Sequence, residues 1–397
     1  MLKICLITPN LLPVPSVKGG AIESLVTNIV KKQEEYKKLD LTVVSLYDKK
    51  ALEESKKYPN TKFIYIKKNI SYYITGIFYN ISNRLFKTNL NTYNHFVLNK
   101  IKNMNFDYVV AEGGHYESYN KFLKYYKKEN LIIHLHHVER SNEIIDKTFS
   151  RLLGVSDYVT NEFKKTTNKI DTYTLRNGID LNLFDKEASI KEINQIKKKY
   201  GINKNDFIIL FVGRLIPAKG VLELIKAVKK IDNPNIKLMI LGNNPDSLST
   251  KDEYVLSLEK EIEGFEKKIF FTGYVNNWEV YKYYQASNVV CIPSILEDAA
   301  TLVCVEAMIS RKIVLATNSG GIPEHLLKDS SLVVDKKENL IDNLKDGIIT
   351  LYNKKDKFPL MAEKAYQHAL KFNSNNMYLK LVSYLEEFKK EDEKNEI

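Results

Sequence analysis

The sequence predicts an α/β protein of two domains, each a parallel sheet covered by helices on both faces, with a ligand cleft between them. Three observations carry this. At 397 residues the chain exceeds what one core comfortably serves. Short, nearly continuous apolar runs alternate with amphipathic helical stretches, the pattern of strands buried on both faces. Two such halves follow one another without an internal repeat.

The first half opens with strand KICLIT (3–8) and a loop ending in Gly19 and Gly20. A helix follows, with Ile22, Leu25, Val26 and Ile29 on one face. LTVVSLY (41–47), KFIYI (62–66), DYVVAE (107–112) and LIIHLHH (131–137) read as further strands. The second half repeats the style. DFIILFVGR (206–214) precedes a helix at 220–231, and KLMILG (237–242) and KIFFTGYV (268–275) precede one near 277–286. NVVCIPS (288–294), a helix at 301–310 and KIVLAT (312–317) complete it. The polar, lysine-rich stretch 182–204 reads as the hinge, giving domains at 1–185 and 186–370. A helix within 359–390 is long enough for 371–397 to return to the first domain, ending in a frayed tail, KKEDEKNEI.

Charge and cysteines narrow the class. Cys5, Cys291 and Cys304 are scattered and odd in number, which suits a reducing cytoplasm rather than a disulfide framework. The N-terminus lacks signal-peptide character, and no run approaches the ~20 apolar residues that span a bilayer. The expected location is cytoplasmic. Residues 1–185 carry 28 Lys and Arg against 19 Asp and Glu, and the remainder 32 against 30. Residues 55–106 contain nine Lys or Arg, no acid and many aromatics. Within them Ile70, Tyr73, Ile74, Ile77, Phe78, Ile81 and Leu85 follow helical spacing. Such a helix either faces a core or lies in an anionic membrane interface. Nucleic-acid binding is set aside, because no recognised motif accompanies the spread cations.

Several motifs sit where strands end. Gly213, Arg214, Lys219 and Gly220 bracket a strand-to-helix turn whose two cations suit a diphosphate or simply face solvent. Gly19 and Gly20 precede a helix, and Gly320 and Gly321 follow a strand; each pair suits an anion or a plain turn. His134 and His136 share one strand face. Without cysteine or paired histidine at ligand spacing they suggest no zinc site, and no metal is assigned. His136 reads as facing the cleft, His134 as a buried, hydrogen-bonded histidine. In PSILEDAATLVCVEAM (293–308), the amides around Thr301, Leu302 and Val303 open a helix and suit a phosphate. Glu306, more than a turn further in, needs a partner: a ribose diol, or a cation such as Arg311.

In that order these segments resemble a retaining glycosyltransferase of family 4, with the two-domain GT-B fold; Arg176, Asn177, Gly178, Asp180 and Phe184 match its segment at the domain junction. The resemblance implies a nucleotide-diphosphate sugar as donor substrate, no cofactor, and an acceptor on the first domain. By carry-over, Arg214 and Lys219 pair with the diphosphate, joined by amides near Gly20 and Thr301–Val303. Glu306 holds the ribose, Gly273, Tyr274 and Val275 pass the base, and His136 lies beside the transferred sugar. The family spaces its two glutamates by eight positions, whereas Glu297 and Glu306 are nine apart. Asp298 therefore holds the sugar-facing register, with Glu297 its neighbour, and Thr301 replaces the family's glycine. The expected reaction is transfer of a hexose or N-acetylhexosamine, UDP favoured, to a glycan or lipid-linked acceptor at the inner membrane face. A non-catalytic coat component and a nucleotide-sugar epimerase are the alternatives on this fold.

Overall fold

A computed structural model describes residues 1–242 and 253–395. It divides into two compact units, Met1–Gly178 with the last helix, Ser374–Asn395, and Ile179–Asn373. The stretch 182–204 belongs to the second unit and contains a helix, Ile190–Lys199, closed by a Ser189–Glu192 capping box.

The first unit is a seven-stranded parallel sheet. Its strands are β1 (Leu2–Ile7), β2 (Leu39–Leu46), β3 (Thr61–Ile66), β4 (Tyr108–Ala111), β5 (Leu131–Leu135), β6 (Arg151–Gly154) and β7 (Asp171–Thr174). They lie in the order β3-β2-β1-β4-β5-β6-β7. Ile4, Cys5, Leu6 and Ile7 of β1 are all buried, as a strand covered on both faces requires. The sequence reading missed β6 and β7, which have four residues each, and β7 (DTYT) carries no apolar run.

The second unit repeats the architecture with β8 (Phe207–Val212), β9 (Ile236–Leu241), β10 (Ile269–Gly273), β11 (Val289–Ile292), β12 (Ile313–Thr317) and β13 (Ser331–Val334). All are parallel, in the order β10-β9-β8-β11-β12-β13. Its core packs on both faces of the sheet, one side around Leu210, Met239 and Val305, the other around Ile209, Leu224 and Ile348. In each sheet the strand order reverses beside the first strand, between β1 and β4 and between β8 and β11. Connections there leave in opposite directions and open a crevice beyond the carboxyl ends.

One expectation is corrected, and one of two alternatives is removed. The frayed tail is helical to Asn395, with 396–397 outside the described residues. Asp392 accepts from Arg151 Nη2 at 2.5 Å and Nη1 at 3.0 Å, and from the Tyr108 hydroxyl at 2.7 Å. Arg151 is buried and lies over the Phe388 ring, so the acidic end of the helix answers a cation on β6. The helix Ile70–Phe86 does not face a core. Tyr72 is its one buried residue, while Ile70 is 79% exposed, and Phe78 and Leu85 67% each. Its polar edge turns inward instead: Tyr79 Oη meets His95 Nδ1 at 2.8 Å, and Asn83 Nδ2 donates to the Leu90 carbonyl at 2.8 Å.

Candidate active site

Beyond β8, Gly213 (φ 156°) leads into the turn Pro217–Lys219, which Gly220 closes in the left-handed region. The Ala218 carbonyl accepts from Ile295 N at 2.9 Å, tying this turn to the loop after β11. A side chain at residue 220 would run its Cβ into the Pro293 carbonyl, so both backbone conformation and space require glycine. The latch carries Lys219 to the switch point, where its ammonium pairs with Asp298. Ser294 Oγ also donates to Asp298, at 3.3 Å. Arg214 is exposed; its carbonyl accepts from Ile216 N at 3.1 Å, and its guanidinium makes no ion pair among the described residues.

The loop after β12 locks against the same place. Gly321 N donates to the Asp298 carbonyl at 2.8 Å, and Asp298 N donates to Ser319 Oγ at 3.1 Å. Gly320 N donates to Glu297 Oε2 at 2.5 Å, and Lys336 pairs with Glu297 at 2.7 Å. The two adjacent acids thus part: Asp298 joins Lys219, and Glu297 turns to the Gly320 amide and Lys336. Gly320 and Gly321 act as a backbone latch on Asp298, and a Cβ at residue 320 would strike the Asp298 backbone.

Thr301 caps the helix Leu302–Ile309 without a side-chain hydrogen bond, so its opening amides, on partly exposed residues, have no side-chain cap. One turn in, Glu306 Oε2 accepts from the Tyr284 hydroxyl at 2.7 Å. Burial pushes the Glu306 carboxyl up to about 7 against the lowering effect of that bond. Arg311, weighed as its partner, instead pairs with Asp185 at 3.1 Å and Glu363 at 3.6 Å. Gly273 (φ 74°) ends β10, Tyr274 is exposed, and Val275 packs on the core. The second sheet thus brings Gly213, Arg214, Lys219, Asp298, Glu297, Thr301, Leu302, Val303, Glu306, Gly320 and Gly321 to its carboxyl edge.

In the first unit, Gly19 (φ 80°) and Gly20 (φ 97°) precede the helix Ala21–Tyr36, and a Cβ at residue 20 would meet the Glu23 carboxylate. His136 follows β5 and bonds through Nε2 to Glu112 Oε2 at 2.9 Å; His134 Nδ1 bonds to the same oxygen at 2.8 Å. Burial opposes the charge on Glu112, but His134 and the bonds from both imidazoles outweigh it and hold the carboxyl at about 2. The sequence reading missed Glu112, Tyr284, Ser294 and Ser319. Only Glu112 left a signal, an acid closing DYVVAE just before Gly113 and Gly114.

With this geometry in place, the chain can be set beside known proteins. Residues 192–368 match the family Glycosyl transferases group 1. An uncharacterized glycosyltransferase of Methanocaldococcus jannaschii, MJ1607, is 34% identical over 149 residues, 37% of this chain and 36% of that protein. The lipopolysaccharide 1,2-N-acetylglucosaminetransferase of Salmonella typhimurium is 33% identical over 140 residues, 34% of this chain and 36% of that protein. The matched segments thus span little more than a third of these two relatives. Anabaena HepE, solved in complex with UDP and glucose, superposes with a TM-score of 0.76 at 19% identity over 98% of this chain and 100% of that one. The fold class is therefore α/β with two parallel-sheet Rossmann-like domains of the GT-B type, and most of the second unit is similar to glycosyl transferases group 1.

Proposed function

We propose that this protein is a retaining glycosyltransferase that moves a hexose or N-acetylhexosamine from a nucleotide-diphosphate sugar, UDP favoured, to a glycan or lipid-linked acceptor. The observation that carries the reading is the second sheet's switch point: Arg214, Lys219, helix amides without a side-chain cap and a recessed Glu306 gather at one carboxyl edge. Two cations and a helix N-terminus match a diphosphate, and the carboxyl group behind them matches a ribose diol. Relatives named as glycosyltransferases and the neighbour complexed with UDP and glucose support the same donor class.

The acceptor hydroxyl attacks the anomeric carbon on the face from which the diphosphate departs, and the leaving phosphate takes the hydroxyl proton. This chain's part is to stabilise charge growing on the leaving group, through Arg214, Lys219 and the amides of Thr301–Val303. The chain contains no Asp-x-Asp, in keeping with a metal-independent reaction. The test is a donor screen on purified protein across UDP-, GDP- and ADP-sugars, with and without acceptor and with EDTA. Transfer from a UDP-sugar that survives EDTA is expected. Product formed without acceptor would point to epimerisation, and activity lost in EDTA and restored by Mn²⁺ would refute metal independence.

The exposed helix Ile70–Phe86 is proposed to rest on the inner face of an anionic membrane, where a lipid-linked acceptor would be presented. Its uncovered apolar side, with Lys67, Lys68, Arg84 and Lys87 beside it and no acid in 55–106, fits an anionic headgroup layer. No helix among the described residues is long and apolar enough to cross a membrane. Co-flotation with phosphatidylglycerol vesicles at low salt is expected; failure to float would refute the contact.

A further inference from the structure

Glu112, His134 and His136 form a buried cluster in the first unit whose donor atoms lie within 4.8 Å of one another. Parallel pairing explains the meeting. Ala111 stands opposite Ile133, so Glu112, the residue after β4, falls beside His134, and alternation brings His136 to the same face. The two imidazoles lie 4.3 Å apart between centroids and converge on one carboxylate oxygen.

We propose that Glu112 positions His136, fixing the imidazole with its proton on Nε2 and a lone pair on Nδ1, so that Nδ1 accepts a hydrogen bond from a hydroxyl of the transferred sugar. This rests on the reading that His136 lies beside that sugar. An ionised carboxylate only accepts, so the ring nitrogen facing it must carry the proton. Burial and then the neighbouring His134 push His136 down to about 4 despite Glu112, leaving one ring proton at neutral pH. That proton sits between Nε2 and Glu112, and Nδ1 is a buried acceptor with no partner among the described residues. A buried polar atom in that state costs free energy until a donor arrives.

The same three side chains have the composition of a metal site, but their outer atoms argue otherwise. Metal-bound imidazoles normally donate their second ring N–H to an outer acceptor. Here His136 Nδ1 and His134 Nε2 have no such acceptor, so a metal would bury two unpaired donors.

The test is long-range ¹H–¹⁵N NMR of the full-length protein labelled at histidine, at neutral pH, with His136 assigned from a His136→Gln variant. His136 is expected to show a protonated Nε2 and an unprotonated Nδ1. In Glu112→Gln the amide donates on one side and accepts on the other, so the imidazole signals should change. The kcat of transfer should fall about tenfold or more, with donor KM within about twofold. A wild-type His136 protonated at Nδ1, alone or together with Nε2, overturns the proposal. So do unchanged His136 signals and unchanged kcat in Glu112→Gln. Should that variant fail to fold, the wild-type spectrum alone decides. If no nucleotide sugar is turned over but both spectra behave as expected, the glycosyltransfer reading fails and the role of Glu112 stands.

Discussion

Replacing Glu306 by Gln should make the protein more stable at alkaline pH and worse at binding UDP. Glu306 has an ordinary carboxyl value of 4.5 in the unfolded chain and about 7 in the folded one, because burial disfavours its charge. The folded state therefore holds this proton more tightly than the unfolded chain does. Stability from this site is greatest below about pH 4.5, falls as pH rises through the interval to about 7, and is lowest above it. A rise of about 2.5 pH units corresponds to ~3 kcal/mol, reduced to roughly 1–3 kcal/mol by the solvent that still reaches the residue. Glutamine keeps an acceptor for the Tyr284 hydroxyl and removes the titration. At pH 8 the variant's thermal midpoint should exceed wild type by roughly 3–10 °C, converging toward wild type at pH 5. UDP affinity measured by titration calorimetry should fall roughly tenfold to a hundredfold, since charged hydrogen bonds to the ribose hydroxyls are lost. A stability difference equal at pH 5 and pH 8, or unchanged UDP affinity, would refute the reasoning.

Four further substitutions have expected outcomes. Lys219→Ala should lower turnover by roughly a hundredfold or more, whereas Asp298→Asn, which frees the Lys219 ammonium, should tighten UDP binding by about threefold to tenfold; calorimetry and initial rates check both. Among the described residues, Asp392→Ala leaves Arg151 with only the 3.4 Å contact to Glu391 as an ion pair, so urea unfolding should register a loss of roughly 2–4 kcal/mol. Hydrogen exchange should rise in the last turns of the helix Ser374–Asn395. Gly220→Ala places a Cβ in the left-handed region and against the Pro293 carbonyl, and should cost roughly 2–4 kcal/mol in the same measurement.

How far the site was legible depended on whether a residue's role lies in its local segment. Gly213–Gly220 and Gly320–Gly321 could be read because a strand end followed by glycine and a helix start is a local pattern with one topological meaning. Glu306 could be singled out as a carboxylate in an apolar helix, but its hydroxyl partner Tyr284, 22 residues earlier, could not. The pairing of Lys219 with Asp298 joins residues 79 apart, and it follows from β8 and β11 being neighbours, which neither segment encodes alone. Glu112 went unread for the same reason: its meaning arises from β5 lying beside β4.

By itself, the sequence determined the alternation of buried strands and helices, hence the parallel sheets, and the carboxyl-edge turns where ligands gather, because periodicity and glycine placement act within a few residues. It also showed helical spacing of apolar residues from Ile70 to Leu85 in an acid-free basic stretch. Only the tertiary structure decided that this apolar face points away from the core and that the acidic C-terminal end is anchored by Arg151. It also decided that Asp298 answers Lys219 while Glu297 turns to Gly320, and that one carboxylate serves two histidines. The physical reason is common to all four. Which face of a helix is covered, and which charge finds a partner, depends on the packing of elements far apart along the chain, and parallel register is set between strands rather than within them.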